Sequence, residues 1–188
     1  MEPEDEGGGT EAQAKDACLR LLASRAHSRH ELETRLAKKG FSPAVSAAVL
    51  DRLVTAKLVD DAAFAEQWVH SRHTYSGKGK QALSRELRGK GVSDEHARTA
   101  LDQIDADDER ERAAELVRKK FRTLSLPDPE SPDARSERDK TVRRLVGMLA
   151  RRGYSQGMAF AVVKTELDRH GMEEIDAGAE DFDGERFG

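Results

Sequence analysis

Leu83-Ser84-Arg85-Glu86-Leu87-Arg88-Gly89-Lys90-Gly91-Val92-Ser93, running on to Leu101 and Ile104, decides the fold because its pattern occurs three times. Counted from Gly91, leucines lie eight and four residues before, a basic residue lies one before, an apolar residue and a serine follow, and Leu101 lies ten on. Gly40 repeats these offsets with Leu32, Leu36, Lys39, Phe41, Ser42 and Leu50, and Gly153 with Leu145, Leu149, Arg152, Tyr154, Ser155 and Val163. Self-similarity of this kind marks a repeated structural unit. Leucines four apart share one helix face, a cation suits the helix C-terminus, and Gly accepts the left-handed conformation that ends the helix. The serine then caps a second helix, and Pro43 suits its first position in repeat one. The reading is a helix, a turn of about three residues and another helix, three times over. One such pair cannot bury its own apolar stripe, so a further helix must pack against it.

The rest of the chain supplies those helices. Glu11–Ala26 reads as a first helix, and Ser28-Arg29-His30-Glu31 as a capping box that restarts it. Asp60 or Asp61 caps a helix carrying Phe64, Ala65, Trp68 and Val69, which ends near Tyr75 at the basic turn Gly77-Lys78-Gly79-Lys80. Asp105 to Asp108 opens another through Ala113, Leu116, Val117 and Phe121, with Arg118, Lys119, Lys120 and Arg122 at its end. Pro127, Pro129 and Pro132 mark a linker. No run of alternating β-branched residues suggests a strand. The expected architecture is all-α, an elongated array of three tandem three-helix modules. Its segments are an acidic disordered tail (1–16), module one with a connecting helix (17–75), module two (76–123), a Pro-rich linker (124–132), module three (133–171) and a second acidic tail (172–188).

Charge is divided unevenly. Of 188 residues with a net charge of −4, residues 1–16 carry −5 and residues 172–188 carry −6, leaving about +7 on the body. A basic body points to a polyanion or an acidic protein surface, although solvated charged helix faces account for it equally well. The single Cys18 excludes a disulfide framework and a thiol zinc site. No apolar run reaches membrane-spanning length, and the acidic start is unlike a signal peptide, so a cytoplasmic protein without membrane partners, monomeric, is expected. His27/His30 and His70/His73 lack a third ligand of matching spacing, and no nucleophile–base arrangement stands out. Neither an enzyme nor a metal or cofactor is expected.

Leu58-Val59-Asp60-Asp61-Ala62-Ala63-Phe64-Ala65, then Ser71-Arg72, Gly77-Lys78-Gly79 and Glu86-Leu87-Arg88-Gly89-Lys90-Gly91-Val92, resembles the signature of the RecX family, regulators of the RecA recombinase. The resemblance covers about residues 17–168. It implies tandem three-helix modules lying along the groove of the RecA–single-stranded DNA filament, suppressing ATPase, strand exchange and coprotease activities; some members also bind DNA. Asp60, Asp61, Phe64, Arg72, Gly77 and Gly79 fall on its characteristic positions. Ala63 stands where the motif has Arg, and Lys80-Gln81-Ala82 depart from the Pro and basic residue that follow its second Gly.

Candidate partner-binding residues are therefore Asp60, Asp61, Arg72, Lys78 and Lys80, with the recurrent basic positions Lys39, Lys90, Arg151 and Arg152. The structural frame is Gly40, Gly77, Gly79, Gly91, Gly153 and Phe64. Asp60-Asp61 also suffices as a helix cap, and the basic residue before each Gly as a dipole partner. The Gly77–Lys80 turn lacks the spacing of a nucleotide-binding loop. The main alternative is a tandem helix-turn-helix DNA-binding protein, against which the second helices are weakly basic. A third reading is a helical-repeat scaffold.

Overall fold

A computed structural model of the chain describes residues 9–124 and 132–170, and among these every regular element is a helix. In chain order they are α1 (Glu11–Leu22), α2 (Arg29–Lys38), α3 (Pro43–Thr55), α4 (Asp61–Ser76), α5 (Lys80–Gly89), α6 (Asp94–Asp102), α7 (Ala106–Phe121), α8 (Ala134–Arg151) and α9 (Gln156–Arg169). The repeated serines do what their positions demand. Ser42, Ser93 and Ser155 accept from the N–H three residues on, and Ser28 with Glu31 forms the reciprocal capping box. Gly40, Gly91 and Gly153 all have positive φ, at 86°, 70° and 92°.

Three separate cores follow one another. Ala14, Cys18, Leu32, Leu36, Val49, Leu50 and Leu53 close the first, from α1, α2 and α3. Phe64, Ala65, Val69, Leu83, Leu87, Ala97 and Ala100 close the second, from α4, α5 and α6. Ala113, Val117, Leu145, Leu149, Tyr154, Val162, Val163 and Leu167 close the third, from α7, α8 and α9. Each helix-turn-helix pair is thus covered by the helix that precedes it.

This grouping moves the expected boundaries. The helix assigned to 17–75 as a connector is the first helix of module two, because Phe64, Ala65 and Val69 face Leu83 and Leu87. Likewise α7, expected within 76–123, opens module three. Residues 124–132 therefore join two helices of one module rather than two modules; 125–131 lie outside the described residues, and Leu124 packs on the third core. The tail expected over 1–16 overlaps a helix. Thr10 and Gln13 form a capping box that starts α1 at Glu11, and Ala14 is buried. That helix stops at Leu22 rather than Ala26, since the chain must turn before Ser28. Residues 1–8 and 171–188, which include the acidic tails, are outside the described residues.

Candidate interaction site at the module junctions

The residues singled out in the sequence converge on the two places where one module meets the next. At the first junction, the N-terminus of α2 rests on the turn between α5 and α6. Ser28 Oγ donates to Lys90 O at 2.7 Å, and the Arg29 N–H donates to Asp61 Oδ1 at 2.8 Å. Lys90 Nζ reaches back to Glu31 Oε1 at 2.6 Å. It also lies 3.9 Å from the Trp68 ring centre and 5.7 Å from that of Phe64, the two rings being stacked at 5.8 Å. Arg72 sits over Trp68 as well, 5.3 Å from the ring centre, and bonds Glu86 at 3.1 Å, while Trp68 Nε1 donates to the same carboxylate at 2.9 Å. Lys78 Nζ completes the chain of charges, 3.5 Å from Glu86. Two cations thus lie over one indole, each paired with a carboxylate.

Burial alone would raise the carboxylate pKa values here. Hydrogen bonds from Arg25 and Lys90 outweigh it at Glu31 and hold that group at about 2. At Glu86 the bonds from Arg72 and Trp68 do the same, holding it below the usual range. His27, buried with Nδ1 3.3 Å from Glu31 but without hydrogen-bond geometry, is pushed below its ordinary value by burial and then by Arg25. It is neutral near pH 7.

At the second junction the N-terminus of α5 rests on the turn between α8 and α9, by backbone more than side chain. The Gly79 N–H donates to Arg152 O at 2.9 Å and the Gln81 N–H to Gly153 O at 3.1 Å. The Lys80 N–H is capped by Glu109 at 2.9 Å, the part Asp61 plays at the first junction. Arg152 Nη1 donates to Ser76 O at 2.8 Å, and the buried Tyr154 OH to Gly77 O at 3.3 Å. Burial pushes that phenol up to about 12. A Cβ on Gly79 would lie 2.6 Å from Gly153 C, and one on Gly153 would lie 2.3 Å from Ala82 Cβ.

These contacts redistribute the expected roles. Asp60 caps α4, with its carboxyl held low by the Ala63 and Ala62 N–H groups, and Asp61 caps α2 across the junction. The glycines of the Gly77–Lys80 turn bring backbone close to module three rather than to an outside ligand. Gly77 ends α4 in the left-handed conformation. Lys90 and Arg152 point into the junctions, so the row of basic residues before the glycines is not displayed as a row. Among the described residues, Lys39, Lys80 and Arg151 have no ion-pair partner, and Lys39 and Arg151 are exposed. Phe64 is core, as its spacing predicts. Glu86 and Glu109 escaped the sequence reading as contact residues, and Glu31 was read only as half of a capping box, which it is. His70 and His73 border a cleft of about 450 Å³ with Asp108, Glu111 and Glu115. No group of three or more side chains suited to a metal ion occurs among the described residues.

Three cores in tandem, joined turn-to-helix by charged and glycine-mediated contacts, define a helical-repeat protein of the three-helix-module type. Sequence comparison makes the family particular. Family models match "RecX, first three-helix domain" over residues 14–53 and "RecX, second three-helix domain" over residues 60–101. The regulatory protein RecX of Mycolicibacterium vanbaalenii is 56% identical over 163 residues, spanning 87% of both chains. That of Amycolatopsis mediterranei is 45% identical over 161 residues, 86% of this chain and 87% of the relative. The crystal structure of RecX from Lactobacillus salivarius has the same fold, with a TM-score of 0.67 at 22% identity over 85% of this chain and 97% of that one. The chain belongs to the RecX family.

Proposed function

We propose that this protein binds the filament that RecA forms on single-stranded DNA, and inhibits or modulates RecA ATPase, strand exchange and coprotease activity. It does so as a cytoplasmic monomer, without a cofactor and without catalysis of its own. Family membership is the observation that carries the reading. The architecture supports it: three modules fixed end to end suit a partner with a repeating surface, and the outward cations of the first and third modules (Arg35, Lys38, Lys39; Lys119, Arg122, Arg144, Arg151) suit acidic protein surface or DNA phosphate. Spanning neighbouring RecA protomers in the filament groove would block filament growth or the entry of duplex.

The test is the single-stranded-DNA-dependent ATPase rate of the cognate RecA as the purified protein is added at substoichiometric amounts. Strong suppression well below one molecule per RecA is expected. Unchanged ATPase with tight binding to bare DNA would favour the tandem DNA-binding reading, which the outward cations of α8 also support. Unchanged ATPase without DNA binding would leave the scaffold reading.

A further inference from the structure

The positions that join one module to the next can be followed into the last. Ten and nine residues before the turn glycines stand His30 and Glu31 in α2, Gln81 and Ala82 in α5, and Arg143 and Arg144 in α8. In the first two modules these positions touch the turn of the next module, although His30 and Gln81 keep part of their side chains in solvent. A Cβ on Gly91 would lie 2.4 Å from His30, Glu31 holds Lys90, Gln81 donates to Gly153, and Ala82 sits against Gly153. In module three both arginines are exposed. The helix itself differs too: α8 starts nineteen residues before its glycine, where α2 and α5 start eleven before theirs. The junction position therefore lies inside a continuous helix, with no orphan N–H groups there for the acid of a further module to cap. Where the first two modules dock on a turn, module three presents a cationic face.

That face extends along α8. Lys140, Arg143, Arg144, Gly147 and Arg151 recur at spacings of three and four residues, turned away from buried Leu145 and Leu149 over about 16 Å. Among the described residues, Arg144 and Arg151 make no ion pair and no side-chain hydrogen bond. Arg143 donates only to Asp139 O of its own helix. Lys140 pairs with Glu137 on the exposed surface, a contact worth little against a competing anion. Gly147 adds an independent observation. A mid-helix Gly is about 1 kcal/mol worse than Ala, and packing does not call for it, since a Cβ there would meet only Arg151 Nη1, at 3.3 Å. It leaves bare backbone at the centre of the stripe.

We infer that the outer face of α8 is a binding site for the phosphate backbone of a nucleic acid strand. Arg143, Arg144 and Arg151 take phosphates, and Gly147 lets the strand lie against the helix. The guanidinium fork matches phosphate in two-point contact. A single row of cations on one helix suits a linear polyanion better than a two-dimensional acidic surface. A second copy of this chain is disfavoured, because the exposed turn of its first module, Lys38-Lys39-Gly40, is itself basic.

The full chain, with no recombinase present, is titrated into labelled oligo-dT and into duplex, read by fluorescence anisotropy over a range of salt. The triple variant Arg143→Gln/Arg144→Gln/Arg151→Gln should keep its helix content and Tm, and bind about tenfold more weakly at low salt. Its plot of log K against log salt for the single strand should be shallower by about two. Arg20→Gln/Arg98→Gln, which removes two exposed cations elsewhere, should stay within about twofold of wild type. Gly147→Leu raises helix propensity and changes no charge, so its Tm should hold or rise while DNA binding weakens. Wild-type affinity and slope in the triple variant would overturn the site. So would intact DNA binding combined with lost binding to poly-glutamate, which would assign the face to an acidic protein. Neither result bears on recombinase inhibition.

Discussion

The two junctions set the same turn against the same kind of helix end, yet they are held by different chemistry. At the first, side chains are added to a close approach of Gly91 to His30: Glu31 and Lys90 span the gap, and Lys90 lies on Trp68. At the second, Gly79 and Gly153 let backbone meet backbone, and N–H to C=O hydrogen bonds cross the joint. The charges that only the first junction carries answer to pH and salt. A joint of glycines answers to volume.

The sharpest way to separate them is to add one methyl group. Gly153→Ala places Cβ 2.3 Å from Ala82 backbone N, at a φ of +92°, and should lower stability by about 3 kcal/mol in urea unfolding. Gly40→Ala at the equivalent turn of module one meets nothing within 4 Å, so only its φ of +86° is penalised, by about 1 kcal/mol. Equal losses at both glycines would mean that the second junction does not depend on close approach.

Next in size, Glu31→Gln should cost about 2 kcal/mol at neutral pH, by removing the charged acceptor of Arg25 and Lys90. The sign with pH follows from a folded pKa of about 2 against an ordinary 4.5. The carboxylate contributes fully above 4.5 and loses its contribution as pH falls toward 2, so the gap between wild type and variant should narrow over that window. A constant gap would show that the loss is not that of the charge.

Lys90→Met keeps the apolar stem and removes the charge; about 1 kcal/mol is expected, with Glu31 retaining Arg25. Trp68 is the only tryptophan, so its emission should shift in this variant, and not in Gly40→Ala. An unshifted spectrum would place Lys90 off the ring. The smallest effect is a gain. Lys57 ends α3 at a φ of +57°, where α4 uses Gly77 at +60° for the same conformation. Lys57→Gly should raise stability by about 0.5 kcal/mol, seen as a small rise in Tm.

Helices, caps and turns were legible because each rests on local chemistry: leucines four apart, a serine after an apolar residue, a glycine with positive φ. The phase of the modules was not. Periodicity shows that Phe64, Ala65 and Val69 share a face, but only tertiary contact shows that they face Leu83 and Leu87 rather than the helices before them. The candidate site was half legible for the same reason. Lys90, Arg72 and Lys78 could be picked out as cations in a patterned stretch, whereas nothing local pairs Lys90 with Glu31, 59 residues away, or Arg72 and Lys78 with Glu86. Gly91 and Gly153 could be read as helix ends, but not as surfaces against which His30 and Ala82 press.

Each core also closes on a contiguous run of chain: Ala14 to Val59, Phe64 to Ile104, and Ala113 to Leu167. Contacts within such runs are local, so little loop-closure entropy stands in the way and fast folding is expected. A chain leaving the ribosome completes its first core once Val59 has emerged. Each later module then meets a folded neighbour whose exposed helix end is ready to receive its turn. The order of synthesis becomes the order of assembly, one joint at a time.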